Sequence, residues 1–186
     1  MKKRLFASIL AISLFTIVAV GQQSNSVIDL MLNSYSARNF TSEPVSNSDL
    51  ELILKCGIKA PSASNAQPWK FTIIRDLDIM QQIVRNIPAG NVLILVNGLE
   101  SRATVDYDCG LATENMALAA ISLGLGQRIY TGPIANINST MRQTLQIPNG
   151  YRAIAVLRVG HIESNVDAVS AASPRNSYEE VVTFLK

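Results

Sequence analysis

Val92 to Val96 (Val-Leu-Ile-Leu-Val) is an apolar run without a break. In a strand, successive side chains point to opposite faces, so a run of this kind has no solvent side and needs cover on both. The chain must therefore build a layer on each side of a sheet. Ser26 to Asn33 reads as a short amphipathic helix. Leu50 to Lys59 reads as a second helix, with Leu50, Ile53, Leu54, Gly57 and Ile58 on one face and Asn47-Ser48-Asp49 as its cap. Lys70 to Arg75 reads as a strand and Asp78 to Asn86 as a helix ended by the Pro88-Ala89-Gly90 turn. The longest helix is expected from Ala103 or Asp106 to Leu123, with Gly124 as its left-handed stop. Its small residues, among them Gly110, Ala112, Ala117, Ala119 and Ala120, allow another helix to approach closely. Gln127 to Tyr130 and Ala153 to Gly160 complete the strands, and Tyr178 to Leu185 forms a terminal segment. Helices and strands mix without strict βαβ alternation, which defines an α+β layered domain.

Lys2, Lys3 and Arg4 precede Leu5 to Val20, a stretch without charge, and Ala19-Val20-Gly21 supplies small residues for cleavage before Gln22. These features predict a signal peptide over residues 1–21 and a single domain over 22–186, exported to the periplasm or secreted. An uncleaved membrane anchor is the rival reading, although the apolar stretch falls short of the ~20 residues that span a bilayer. The first 21 residues carry three of the 16 basic side chains, so 13 basic residues face 14 acidic ones in the remainder. That balance has no basic stripe to mark a nucleic-acid partner.

Cys56 and Cys109 both fall in apolar-periodic helical segments and are expected as two buried free thiols, with a disulfide as the alternative in an exported protein. His161 is the single histidine, so no Cys or His pair has zinc-ligand spacing. Gly124-Leu125-Gly126 follows a helix and precedes a strand, the reverse of a dinucleotide-binding glycine loop.

Ala60-Pro61-Ser62-Ala63-Ser64-Asn65-Ala66-Gln67-Pro68-Trp69 lies between the second helix and the first strand. Its two prolines restrict the backbone. Ser62, Ser64, Asn65 and Gln67 are expected to face outward as a row of donors and acceptors, with the single tryptophan beside them to hold a planar polar ligand.

Five landmarks in order give the chain its resemblance to a known family. They are Ser34-Tyr35-Ser36-Ala37-Arg38-Asn39-Phe40; the Ala60–Trp69 turn; the Asp108–Met116 helix with Ala119-Ala120 and Ser122–Gly126; Ile147-Pro148-Asn149-Gly150-Tyr151 leading to Val159-Gly160; and Arg175 with Glu179–Val182. The order resembles the nitroreductase family of FMN-dependent NAD(P)H oxidoreductases. The resemblance implies a three-layer fold with a mainly antiparallel central sheet flanked by helices, in an intertwined homodimer with two FMN sites lined by both chains. Carried over by position, Ser34, Tyr35, Ser36, Arg38 and Arg175 would contact the FMN phosphate and ribityl region. Pro61, Ser62, Ala63 and Asn65 would line the isoalloxazine ring, and Thr131-Gly132 would bring backbone amides near flavin N5. The flavin does the hydride chemistry, so no catalytic triad and no metal is needed.

Two positions depart from the family pattern: Ser34 and Ser173 stand where basic residues are usual. Charge-assisted contacts are about twice as strong as neutral ones, so these changes predict weaker FMN binding. Together with the predicted signal segment, the resemblance leads to the expectation of an exported, FMN-dependent oxidoreductase working by a ping-pong cycle. A small-molecule donor such as NAD(P)H would reduce the flavin, and nitroaromatics, quinones or similar conjugated compounds would accept. A non-catalytic or degenerate flavin-binding dimeric scaffold is the alternative, and a reductive dehalogenase-like flavoenzyme a third reading. Asn97 to Tyr107 is the one candidate lid.

Overall fold

A computed structural model describes residues 26–163 and 174–185. The predicted signal segment 1–21 and Ser173 lie outside the described residues. Among the described residues four strands form one antiparallel sheet: β1 (Trp69–Ile74), β2 (Val92–Leu99), β3 (Gly126–Tyr130) and β4 (Tyr151–Gly160), in the order β1-β2-β4-β3. The helices are α1 (Ser26–Asn33), α2 (Asn47–Ile58), α3 (Leu77–Ile83), α4 (Val105–Ser122), α5 (Ile134–Asn136) and α6 (Tyr178–Val181). A π-helical turn, Ile137–Met141, continues α5. No helix among the described residues is long and apolar enough to cross a membrane.

Val92 to Val96 are fully buried, as their lack of a polar face requires. Val92, Ile94 and Val96 pack with Leu157 and Val159 against α2 and α4, through Ile53, Cys109, Ala112 and Met116. Leu93 and Leu95 pack with Val156 and Ala153 against Met80, Ile87, Ile137 and Met141 on the other side. The result is the three-layer α+β architecture predicted from the sequence. The close approach of α2 to α4 is made at Gly57, where an added Cβ would lie 2.6 Å from Met116 Cγ. Gly124 ends α4 at φ 76°, with Leu125 N–H bonded back to Ala120 O, the left-handed stop expected there.

Several local expectations need correction. The cap of α2 is Ser46, whose hydroxyl accepts from the Asp49 amide, one residue before the predicted Asn47-Ser48-Asp49. Trp69 is 8% exposed and belongs to the core between sheet and helices, so it presents no ring to a ligand. The candidate lid dissolves into regular structure: Asn97 to Leu99 end β2 and Val105 to Tyr107 begin α4. The α5 turn was not anticipated, because Ile134–Met141 is rich in β-branched residues, Asn and Ser, which are indifferent helix formers. The terminal segment is helical over Tyr178–Val181 alone.

Both cysteines are free, but only Cys109 is buried; Cys56 is exposed. Burial, reinforced by Asp106 and Asp108, pushes the Cys109 thiol up to about 12. Cys109 is therefore expected to resist iodoacetamide at pH 8 in the folded protein and to react after denaturation, which mass spectrometry would read directly. The same shift has a stability consequence. An unfolded thiol loses its proton near 9 while the folded one holds it to about 12, so stability falls as pH rises through that window.

Candidate functional site

The turn before β1 is held in an unusual backbone shape. Ser64, Asn65 and Gln67 have φ of 54°, 53° and 46°, the left-handed region that L residues seldom enter. Local bonds offset that cost. Asn65 N–H donates to Ser62 O at 3.0 Å, Gln67 N–H to Ser62 Oγ at 3.0 Å, and Gln67 Nε2 to Asn65 Oδ1 at 3.2 Å. Ser62 and Gln67 therefore brace the turn; Gln67 is exposed as expected, but Ser62 departs from the outward row of four, being part-buried with its hydroxyl accepting from the Gln67 amide. Pro61, Ser64 and Asn65 remain exposed.

Asp108, fully buried in the first turn of α4, fastens the turn to the helix. Its Oδ1 accepts from Ala63 N–H at 3.0 Å and its Oδ2 from Thr104 Oγ1 at 2.8 Å. Arg102 reaches Ala63 O at 3.5 Å. The positioning role of Asp108 was missed in the sequence, where it stood only as part of the long helix. The signal was a second acidic residue, after Asp106, beside Cys109 on the helix's first turn.

Ser34 to Phe40 lies along the free edge of β3. Ala37 N–H donates to Gln127 O at 2.9 Å, Gln127 Nε2 donates to Tyr35 O at 3.2 Å, and Phe40 bridges to Ile162. Alternation along this extended stretch buries Ala37 and exposes Ser36 and Arg38. Ser34 donates its hydroxyl to Met31 O at 3.0 Å and so closes the end of α1. Gln127 Oε1 is buried without a partner beside this segment.

Arg38 opens onto a cavity of about 520 Å³ that is also lined by Arg85, Arg128, Arg158, Phe40, Tyr130 and Glu163. Arg158, 6% exposed, stacks 3.8 Å from the Phe40 ring centre and donates through Nε to Asn91 Oδ1 at 2.7 Å. Burial pushes its guanidinium below the usual arginine range, while a hydrogen bond to Tyr130 works in the other direction. Arg128 lies 5.1 Å from the Tyr130 ring centre. β3 runs from this cavity to Thr131 and Gly132, both exposed, and a Cβ added at Gly132 would meet nothing within 4 Å. Arg85, Arg128 and Arg158 were not anticipated. The available signal was Arg158 itself, a charge inside the apolar strand Ala153–Val159; its register with Arg128 comes from the fold alone. Arg175 is exposed just before α6.

One chain does not bring all these residues together. The Pro61–Asn65 turn precedes β1 at one edge of the sheet, whereas Ser34–Arg38 and Thr131–Gly132 attend β3 at the other edge. Three strand spacings, about 14 Å, separate those edges. The turn also sits at the start of α4 and the Ser34–Arg38 segment beyond its end, and Asp108 to Ser122 alone spans about 21 Å of helix.

The sequence and the fold match one class of protein. The Nitroreductase family profile matches residues 32–87 and 84–161. An Archaeoglobus fulgidus protein assigned as an NADH dehydrogenase/NAD(P)H nitroreductase is 31% identical over 149 residues, which is 73% of this chain and 85% of the relative. A Desulfovibrio desulfuricans protein assigned as a nitroreductase and solved in complex with FMN superposes with a TM-score of 0.76 at 31% identity, over 88% of this chain and 98% of that one. Iodotyrosine deiodinase bound to FMN and 3-iodo-L-tyrosine shares the fold, with a TM-score of 0.70 at 24% identity over 86% and 99% of the two chains. The chain belongs to the nitroreductase family.

Proposed function

We propose that the protein is an exported, FMN-dependent oxidoreductase that works as a homodimer, with each flavin held between two chains. The observation that carries this reading is the arginine-lined cavity on β3, which continues to an open glycine at the strand's end while the matching turn lies on the far edge of the same chain. A second copy brings its own turn to the first copy's arginines. The donor set suits FMN: guanidinium groups for an anionic phosphate, a rigid turn with exposed Pro61 and Asn65 for a flat ring, and room at Gly132 for close approach. Bound FMN supplies the hydride chemistry.

In this reading Asp108 keeps the turn rigid, so that it meets the ring without ordering cost, and Arg38 with Ser36 and Arg175 orients the phosphorylated side chain. The Glu100–Thr104 connection is too short to form a lid, so the ring face stays accessible to donor and acceptor in turn. That openness supports planar conjugated acceptors such as quinones and nitroaromatics, with NAD(P)H as donor. The residue 1–21 segment supports export.

The purified mature protein is expected to be yellow, or to become so on addition of FMN, and to oxidise NADH or NADPH with a quinone acceptor. A protein that binds no flavin in a visible-absorbance titration would overturn the reading; one that binds flavin but never turns over would be the degenerate scaffold. Arg38→Ala is expected to weaken FMN binding about tenfold, the equivalent of about 1.4 kcal/mol, far more than Cys56→Ser does. Equal dissociation constants for the two variants would remove Arg38 from the site.

A further inference from the structure

Four arginines line one cavity, yet none of Arg38, Arg85, Arg128 and Arg158 forms a salt bridge among the described residues. Arg128 and Arg158 are direct register partners on neighbouring strands, an arrangement of like charges that destabilises a sheet. Arg158 is also nearly buried, and its neighbours are a neutral amide, an aromatic ring and a phenol rather than a carboxylate. Glu163 lines the same cavity but forms no ion pair with any of the four arginines, so a buried guanidinium without a bonded counter-charge is left at a cost that a bound anion would offset. Its Nε is spent on Asn91, which also fixes the plane of the fork, and further donors of its five remain for a ligand in the cavity it lines.

We propose that Arg128 and Arg158 hold the phosphate monoester of FMN, replacing the basic residue that Ser34 lacks. This rests on the FMN reading above and adds residues that the family pattern did not supply. Ser34 cannot serve in their place as it stands, because its hydroxyl is committed to Met31 O at the end of α1. The distance along the strand agrees. Arg128 is four residues, about 13 Å, back from Gly132, so a ring lying at Gly132 would send its side chain toward the arginines. Phe40 and Asn91 orient the Arg158 fork, and Arg38 closes the cavity from the edge segment.

The test is a fluorescence titration of FMN and of riboflavin, which lacks the phosphate, into the dimeric protein and its Arg128→Met, Arg128→Lys and Arg158→Met variants. The unmodified protein is expected to prefer FMN. Arg128→Met should lower FMN affinity about tenfold and leave riboflavin affinity unchanged, with Arg128→Lys recovering part of the loss and sulfate competing against FMN alone. Arg158→Met should show a larger loss; because that residue is buried, a thermal melt accompanies it, and Arg128→Met carries the test if it fails to fold. FMN affinity unaltered in Arg128→Met, or equal losses for FMN and riboflavin, would overturn the phosphate assignment while leaving the flavin reading intact. An unmodified protein that binds neither flavin would overturn both.

Discussion

Replacing Met31 and Leu32 together by aspartate is expected to give a monomeric protein that no longer binds FMN. α1 has eight residues and buries none of them; Val27, Ile28, Met31 and Leu32 are between 52% and 79% exposed. An isolated helix of that length is marginal in water, and an apolar surface of this kind on a folded chain calls for a partner. Beside it, Val27, Leu30, Cys56, Leu118 and Ala119 line an apolar groove between α1, α2 and α4. Covering a large apolar side chain contributes about 1.5–3 kcal/mol, and the symmetry of a dimer counts each residue twice. Four introduced carboxylates would reverse that contribution. Because both side chains are exposed in the single chain, its own fold should survive, with an unchanged far-ultraviolet circular dichroism spectrum. Light scattering after size exclusion and an FMN titration read the two effects. A persistent dimer would place the interface elsewhere; a monomer with full FMN affinity would refute a site shared between chains.

Asp108→Ala is expected to lower stability by about 3 kcal/mol and to weaken flavin binding as well. Two hydrogen bonds to a buried carboxylate are lost at once, each of a kind that contributes about 1.5–3 kcal/mol, and the Ala63 amide and Thr104 hydroxyl are left without their acceptor. The strained residues that follow, Ser64, Asn65 and Gln67, then lose the anchor that keeps them in left-handed geometry. Asp108→Asn retains an acceptor for one of the two donors and should show a smaller loss. Denaturant unfolding measures the first effect and FMN titration the second. A change below about 0.5 kcal/mol for Asp108→Ala would mean that the turn holds itself.

Much of the scaffold is legible from local pattern. The buried run Val92–Val96 and the Gly124 stop each follow from side-chain periodicity or backbone freedom within a few residues, and each is where it was expected; α2 buries Leu50, Ile53 and Gly57 of its predicted face but leaves Ile58 54% exposed at its last turn. Ends were less legible: Ser46 displaced Asn47 as a cap because several adjacent residues could accept the same amide. Trp69 looked available because its polar neighbours are, yet β1 turns its ring toward the core formed by α2 and α4. Cys56 shared the apolar periodicity of α2 but lies on the side that another layer of the same chain does not cover.

The amino-acid order alone determined the layered α+β class, the extent of most elements, the landmarks that mark the nitroreductase family, and the expectation of flavin. These rest on repeats of two or 3.6 residues and on turn chemistry, which act over short separations. Only the tertiary structure decided that Arg38, Arg85, Arg128 and Arg158 share one cavity, that Asp108 holds a turn 45 residues before it, and that the Pro61–Asn65 turn and the Ser34–Arg38 segment fall on opposite edges of the sheet in one chain. The reason is strand order. β4 inserts between β2 and β3, and no local pattern announces which residues that pairing brings side by side.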